Sequence, residues 1–560
     1  MAPAFATYVT YSDTFGKPIT EADLVTRVEA LSLNDCLQSV GKLSHLLASQ
    51  DPEALSEIRQ FVLAGLRASG AVFLVDGMIR YGGRRLMFDK QLMALARLAL
   101  LHADDRPPDS FNDQKDRWRF VEALLGVLDV YGREESIANV HDGVEAEEWM
   151  ASFRLRRVGM PTRIVRQSIV RAVRIFIDLP KQRPDIVTSV PPTQAFEAAV
   201  GVPLERYLAI CFAAITRFSV WNKSPDSWLL SKHFWVNSTV TDEEFIRTIA
   251  TVAASPSQLR HAFQSLMERG QNSIDDIRPF ILHPLIEIEA GVYTAIDVEA
   301  LGDTLIGDGL FWRLKPAPAA SQQEKSDFGE TLGHLLERHC LDVAESVYGL
   351  KGSPKRLFPE FKYSEGDGPD LVIADDRAAA FIEIGIDRPN LRDTVIRGDL
   401  ESFDGDVKRL ILPRAEQLDR KIQHALDGTL GFQGAPPDCL HRIHPVICFW
   451  DGFPLGRYLY QRIENAVQIA GFLQQPEVEP LSIISVQELE QLLGLASKGE
   501  SLTDLLRRHV TGNLKDEPLN DFLHENFGRD VELPPALAAD FAAIASRLAA
   551  QLFEGDTTPS

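Results

Sequence analysis

The 560-residue chain has few cysteines: five, an odd number, scattered at positions 36, 211, 340, 439 and 448 with no CxxC spacing. That excludes a disulfide framework and fits free thiols in a reducing compartment. Cys439, His441, His444 and Cys448 lie near one another, but His444 and Cys448 belong to the apolar run HPVICFW and read as strand residues rather than zinc ligands. Positive charge is also short, 58 Lys plus Arg against 80 Asp plus Glu for a net charge of −22, which excludes a polycationic nucleic-acid coat. No apolar run is long enough to span a bilayer, since the most apolar, Tyr207 to Trp221, is too short and contains Arg217. The start lacks a basic segment followed by an apolar core, so a cytoplasmic protein that does not engage membranes is expected. No HExxH or GxSxG occurs, and RYGGRR lacks phosphate-loop spacing.

What is present is 45% hydrophobic residues, enough for several cores. From about Glu21 to Thr251 the apolar positions recur every three to four residues, the period of amphipathic helices. From Pro279 the texture turns to short apolar runs separated by turns, and KPAPAASQQEKS (315–326) reads as a linker. Beyond it the order is a helix from Asp327, the strands PEFKYS, DLVIAD and AAFIEIGI, a helix around Glu401 to Leu426, the strand HPVICFW, and a strand running into a helix in SIISVQELEQLLG. The expected fold class is α+β multidomain, with a mostly α-helical N-terminal region followed by a mixed α/β domain. The expected segments are 1–278 (helical, a sensor or scaffold), 279–314 (a small mixed module), 315–326 (the linker), 327–500 (the α/β domain) and 501–560 (a helical extension).

Asp370 opens one apolar strand and Glu383 lies inside the next, thirteen residues on. Carboxylates on adjoining strands suit a shared hard divalent cation, which activates water and stabilises phosphodiester charge. Alternation puts Glu383, Gly385 and Asp387 on one face and Ile382, Ile384 and Ile386 on the other. Downstream, Arg414, Gln417 and Lys421 fall on one helix face. Upstream, Arg154 to Arg183 holds eight Arg and one Lys against the single acid Asp178, and Arg163, Arg166, Arg171 and Arg174 form a stripe suited to phosphates.

Asp370 and Glu383 in this order of elements resemble the motif of the PD-(D/E)xK restriction-endonuclease-like superfamily over roughly Asp327 to Trp450. The resemblance implies Mg²⁺ or Mn²⁺ held by Asp370 and Glu383, with a Glu from the leading helix. Glu337 is the choice and Glu330 the substitute, the latter also explained as a DxxE capping box with Asp327. The family's lysine belongs two residues after Glu383, where this chain has Gly385. A replacement cation is expected from Lys362 first, then Arg388 or Lys408. Gln417 matches a polar residue that the family places over the metal, and Arg414, Lys421 and the N-terminal arginines are the expected nucleic-acid contacts. The layout further resembles bacterial anti-phage defence proteins with a helical N-terminal region. The expected function is a metal-dependent nuclease whose helical region regulates it or binds a protein partner. The alternative is an inactive nuclease fold that serves as a nucleic-acid-binding or protein-interaction scaffold.

Overall fold

A computed structural model describes residues 8–49, 52–67, 70–82, 85–105, 114–131, 165–219, 228–268, 276–316, 320–349, 356–360, 362–363, 366–375, 377–396, 398–430, 440–528, 531 and 533–553. The N-terminal half, residues 11–219, is mostly helical, and a mixed α/β region with mixed sheets follows it, an α+β multidomain chain. A first apolar core gathers residues from Val9 to Val127 together with residues between Ala254 and Ile296. A second runs from Ile169 to Leu552.

A small sheet joins the two cores. Its strands β1 (Leu230–Ser231), β2 (Ala253–Ala254), β3 (Leu285–Glu289) and β4 (Val292–Ala295) lie in the order β1-β4-β3-β2. Side chains alternate across a strand, so Leu285 and Ala295 enter the second core while Ile286 and Ile296 enter the first. The module expected at 279–314 therefore recruits strands from residues 230–254.

The linker is shorter than its composition suggests. Ser321 Oγ accepts from the Glu324 N–H, and the Glu324 carboxylate accepts from the Ser321 N–H at 2.8 Å. This capping box starts the leading helix at Gln322 and carries it to Tyr348. The Asp327 start is thereby corrected, and Glu330 is an exposed mid-helix residue with no capping role.

The larger sheet contains β5 (Arg356–Pro359), β8 (Leu371–Asp375), β9 (Ala378–Gly385), β10 (Arg442–Phe449) and β11 (Ser482–Ser485). Between β5 and β8 lies a two-stranded ribbon of β6 (Lys362–Tyr363) and β7 (Gly366–Asp367). The order is β11-β10-β9-β8-β5. β5, β8 and β9 pair antiparallel, and β9, β10 and β11 pair parallel. Parallel pairs need crossovers. Residues 400–426 supply the first and the helix Arg457–Ala470 the second. All eight residues of β9 are buried. Ile382 and Ile384 join the second core with the leading helix, while Phe381 joins a third core with the helix Leu412–Leu426.

The first crossover is not a uniform helix. Leu400–Asp406 passes through a π-helical segment, Val407–Ile411, into the helix Leu412–Leu426. Pro413 has no N–H to give the helical ladder, and the π turn immediately before it is the local adjustment.

The C-terminal helix Pro535–Leu552 folds back onto the N-terminal half. The Thr239 N–H donates to the Leu552 carbonyl at 2.8 Å, Arg206 bonds the Gln551 carbonyl, and Arg547 pairs with Asp178 at 3.0 Å. Deeper in, Arg171 grips both oxygens of Glu490 at 3.2 and 2.7 Å, and His339 bonds the first of them at 2.9 Å. All three side chains are buried, and they tie the N-terminal half to the leading helix and to the helix Val486–Ser497. Burial opposes the Glu490 charge, but Arg171 and His339 outweigh it and hold the carboxyl down at about 2. Removing one member of such a network strands a buried charge. Glu490→Ala is expected to lower the unfolding free energy by about 3–5 kcal/mol in urea denaturation; a loss below about 1 kcal/mol would show that the network does not hold the two halves together.

Candidate active site

Asp370 stands just before β8, beside β9. Its Oδ2 accepts the Ile384 N–H at 2.7 Å, which fixes it next to Glu383. Glu383, mid-strand, points to the face covered by the helix Leu412–Leu426 and is 5% exposed. As strand alternation predicts, it faces away from Ile382 and Ile384, and that opposite face is buried too, by this helix. The acid is accommodated by Lys421, itself 6% exposed, whose Nζ donates to Glu383 Oε1 at 2.6 Å.

Glu337 reaches toward the same carboxylates from the leading helix. Burial first, then the charges of Asp370, Glu360 and Glu383, push its carboxyl up to about 8. Glu383 is pushed up to about 7 by burial and by Asp370, with Lys421 pulling the other way. Asp370 is raised by burial, against the Ile384 hydrogen bond and the charges of Lys421 and Arg414. Glu360 belongs to this group and was missed in the sequence. It follows Pro359, which pairs with Leu371, so it sits beside Asp370. Burial and Asp370 raise its carboxyl as well. An acid at the end of the neighbouring antiparallel strand was the available signal.

The space beside Gly385 is filled. A Cβ there would lie 2.8 Å from both Cζ and Nε of Arg414. The Arg414 guanidinium donates to the Leu410 carbonyl at 3.1 Å and to Asp387 Oδ2 at 2.6 Å, and lies 5.3 Å from the centre of the Phe449 ring. Gly385 thus leaves room for the Arg414 guanidinium from the neighbouring helix.

Other expected site residues lie elsewhere. Lys362 is exposed on the β6–β7 ribbon, and Lys408 is exposed as well. Arg388 pairs with Asp451 at 3.0 Å. The cation touching Glu383 is Lys421, expected to contact nucleic acid, and not Lys362, the first choice for a replacement cation. Gln417 is exposed one turn before it. Arg171 is buried against Glu490, so it is not a surface phosphate contact. Arg174 pairs with Asp540 at 2.8 Å and Asp342 at 3.7 Å. Arg163 and the Arg166 side chain lie outside the described residues.

Among the described residues, no three His, Cys, Asp or Glu side chains are grouped closely enough to hold one metal ion as they stand. Glu383 is engaged by Lys421 instead. The donors nevertheless fit Mg²⁺ or Mn²⁺ in kind: the oxygens come from Asp370, Glu383 and Glu337, burial raises all three, and the neighbouring acids raise Glu383 and Glu337 further, a cost that a divalent cation relieves.

Two tests follow. A group whose carboxyl titrates near 4.5 unfolded and near 8 folded destabilises the native state progressively as pH rises through that window. The stability of Glu337→Gln relative to wild type should therefore increase from pH 5 to pH 8 in thermal melts, whereas a constant difference contradicts the burial of this acid. Gly385→Ala should cost about 1–3 kcal/mol by displacing Arg414, and an unchanged melting temperature would show that the guanidinium does not occupy that space. Compared with known proteins, the chain matches no family model, no curated protein and no solved structure.

Proposed function

We propose that the chain is a divalent-metal-dependent nuclease of the PD-(D/E)xK type in which the cation missing at Gly385 is supplied by Lys421. The observation that carries this reading is the Lys421 ammonium buried 2.6 Å from Glu383 and among the same carboxylates. The helix–strand–strand–strand–helix–strand succession, with antiparallel pairing before β9 and parallel pairing after it, supports it as well.

Asp370 and Glu383, with Glu337 directly or through water, would hold Mg²⁺ or Mn²⁺, which when bound supplies Lewis acidity and a more acidic water. The remaining steps belong to the chain. Lys421 favours the ionised form of Glu383 against its burial and places a positive charge where negative charge grows on the phosphoryl oxygens. Water attacks phosphorus and gives up a proton to solvent, the bond from phosphorus to the leaving oxygen breaks, and that oxygen takes up a proton from solvent. Glu337, which burial and the neighbouring acids push up to about 8 in the metal-free pocket, would give up that proton on joining the metal. The substrate class is a nucleic-acid phosphodiester. The N-terminal half is the regulatory or partner-binding part. A setting in cytoplasmic anti-phage defence belongs to this proposal and rests on the layout of the sequence.

The test incubates purified full-length protein with linear, supercoiled and single-stranded DNA and with RNA, with and without Mn²⁺. Wild type is expected to cleave at least one substrate only with the metal. Asp370→Ala and Glu383→Ala are expected to abolish cleavage, and Lys421→Ala to slow it by about 10²–10³-fold. Cleavage that survives the two acid substitutions would sink the assigned site, and binding without any cleavage would favour the scaffold reading.

A further inference from the structure

Arg414 borders the carboxylate pocket, and its charge acts on both Asp370 and Glu383. One edge of its guanidinium is taken by the Leu410 carbonyl and one face lies against Gly385. Its outer edge carries the Asp387 carboxylate at 2.6 Å. Arg414 is 17% exposed and Asp387 46% exposed, so the pair sits at the mouth of the pocket rather than in a core. A guanidinium accepts a carboxylate and a phosphate in the same planar geometry, and a half-exposed ion pair is weak enough for a competing anion to displace.

The next residue shows what keeps Asp387 there. Arg388 pairs with Asp451 at 3.0 Å, and its guanidinium lies 4.4 Å from the centre of the Phe311 ring and 5.7 Å from that of Trp312. Both rings belong to the helix Asp308–Leu314, which precedes the linker and packs in the second core. The Arg388 carbonyl is also held, by Arg409 at 3.0 Å. Adjacent residues leaving β9 thus face opposite duties: Asp387 occupies a cation at the site, and Arg388 is gripped by the part of the chain before the linker.

We propose that Asp387 is a built-in substitute for the substrate phosphate on Arg414, kept in place by the seating of Arg388 on the 308–314 helix, so that a movement of that helix opens the site to a phosphodiester. This rests on the nuclease reading and adds a regulatory contact to the same site. It assigns Arg414 two exclusive partners: the resting carboxylate and the incoming phosphate.

The experiment measures anisotropy of a fluorescein-labelled oligonucleotide with full-length protein in Ca²⁺, and cleavage in Mn²⁺. It compares wild type with Asp387→Ala, Asp387→Asn, Arg388→Ala and Asp387→Ala combined with Arg414→Ala. If Asp387 holds Arg414 about nine-tenths of the time, its removal tightens binding about tenfold. Both Asp387 variants should show that gain together with faster cleavage. Arg388→Ala should show a smaller gain in the same direction, and the double variant should lose it. Asp387 variants no better than wild type, while wild-type cleavage still requires Asp370, would overturn the proposal and leave the nuclease reading intact. A gain that persists without Arg414 would overturn it equally. Failure of wild type and every variant to bind or cleave would remove the nuclease reading and this inference with it.

Discussion

The Lys421–Glu383 pair is the contact on which the site depends. A carboxylate in the middle of a strand buried on both faces is costly, and an ammonium buried beside it would be equally costly alone. Each is tolerable because the other is 2.6 Å away. Their pairing fixes the helix Leu412–Leu426 against β9, and this in turn brings Arg414 across Gly385 and toward Asp370. One cation does not balance the pocket. Glu337, Glu360 and Asp370 stay raised around it, and that surplus of acid is the physical reason for reading the site as a place for a divalent cation.

Two further constraints hold this arrangement within the larger molecule. The buried Arg171–Glu490–His339 network reaches the leading helix two residues beyond Glu337, so the position of that acid is tied to the N-terminal half. The C-terminal helix returns onto residues 204–219, where Arg547 pairs with Glu205, and its last carbonyl is held by Thr239, so it covers the second core. The acidic excess of the sequence is partly spent in these contacts: Asp540 and Glu490 each face an arginine of the basic segment, and Asp178, the acid within that segment, faces Arg547.

Much of the fold class was legible, because helical and strand periods are local properties. The succession from the leading helix to β10 could be read from apolar spacing, and so could the opposite facing of Glu383 and Ile384. The role of Lys421 could not. Its helix carries a π segment at 407–411 before Pro413, and nothing in the spacing of Arg414, Gln417 and Lys421 says which of them turns inward: Lys421 is buried while Gln417 is exposed. Two members of the arginine stripe have partners that local spacing does not show. Arg171 and Arg174 are neutralised by Glu490 and Asp540, more than 300 residues away, and no local pattern announces such partners. Two strands of the small sheet, β1 and β2, likewise escaped because they are two residues each, too short to show alternation.

The central claim is that the carboxylate pocket beside Lys421 takes a divalent cation. Anomalous diffraction from a crystal soaked in Mn²⁺ tests it most directly. The account predicts a manganese peak within coordination distance of both Asp370 and Glu383, with Lys421 still beside Glu383, and no such peak in Asp370→Ala crystals. A well-ordered pocket without manganese, or a peak held by other residues, would contradict it.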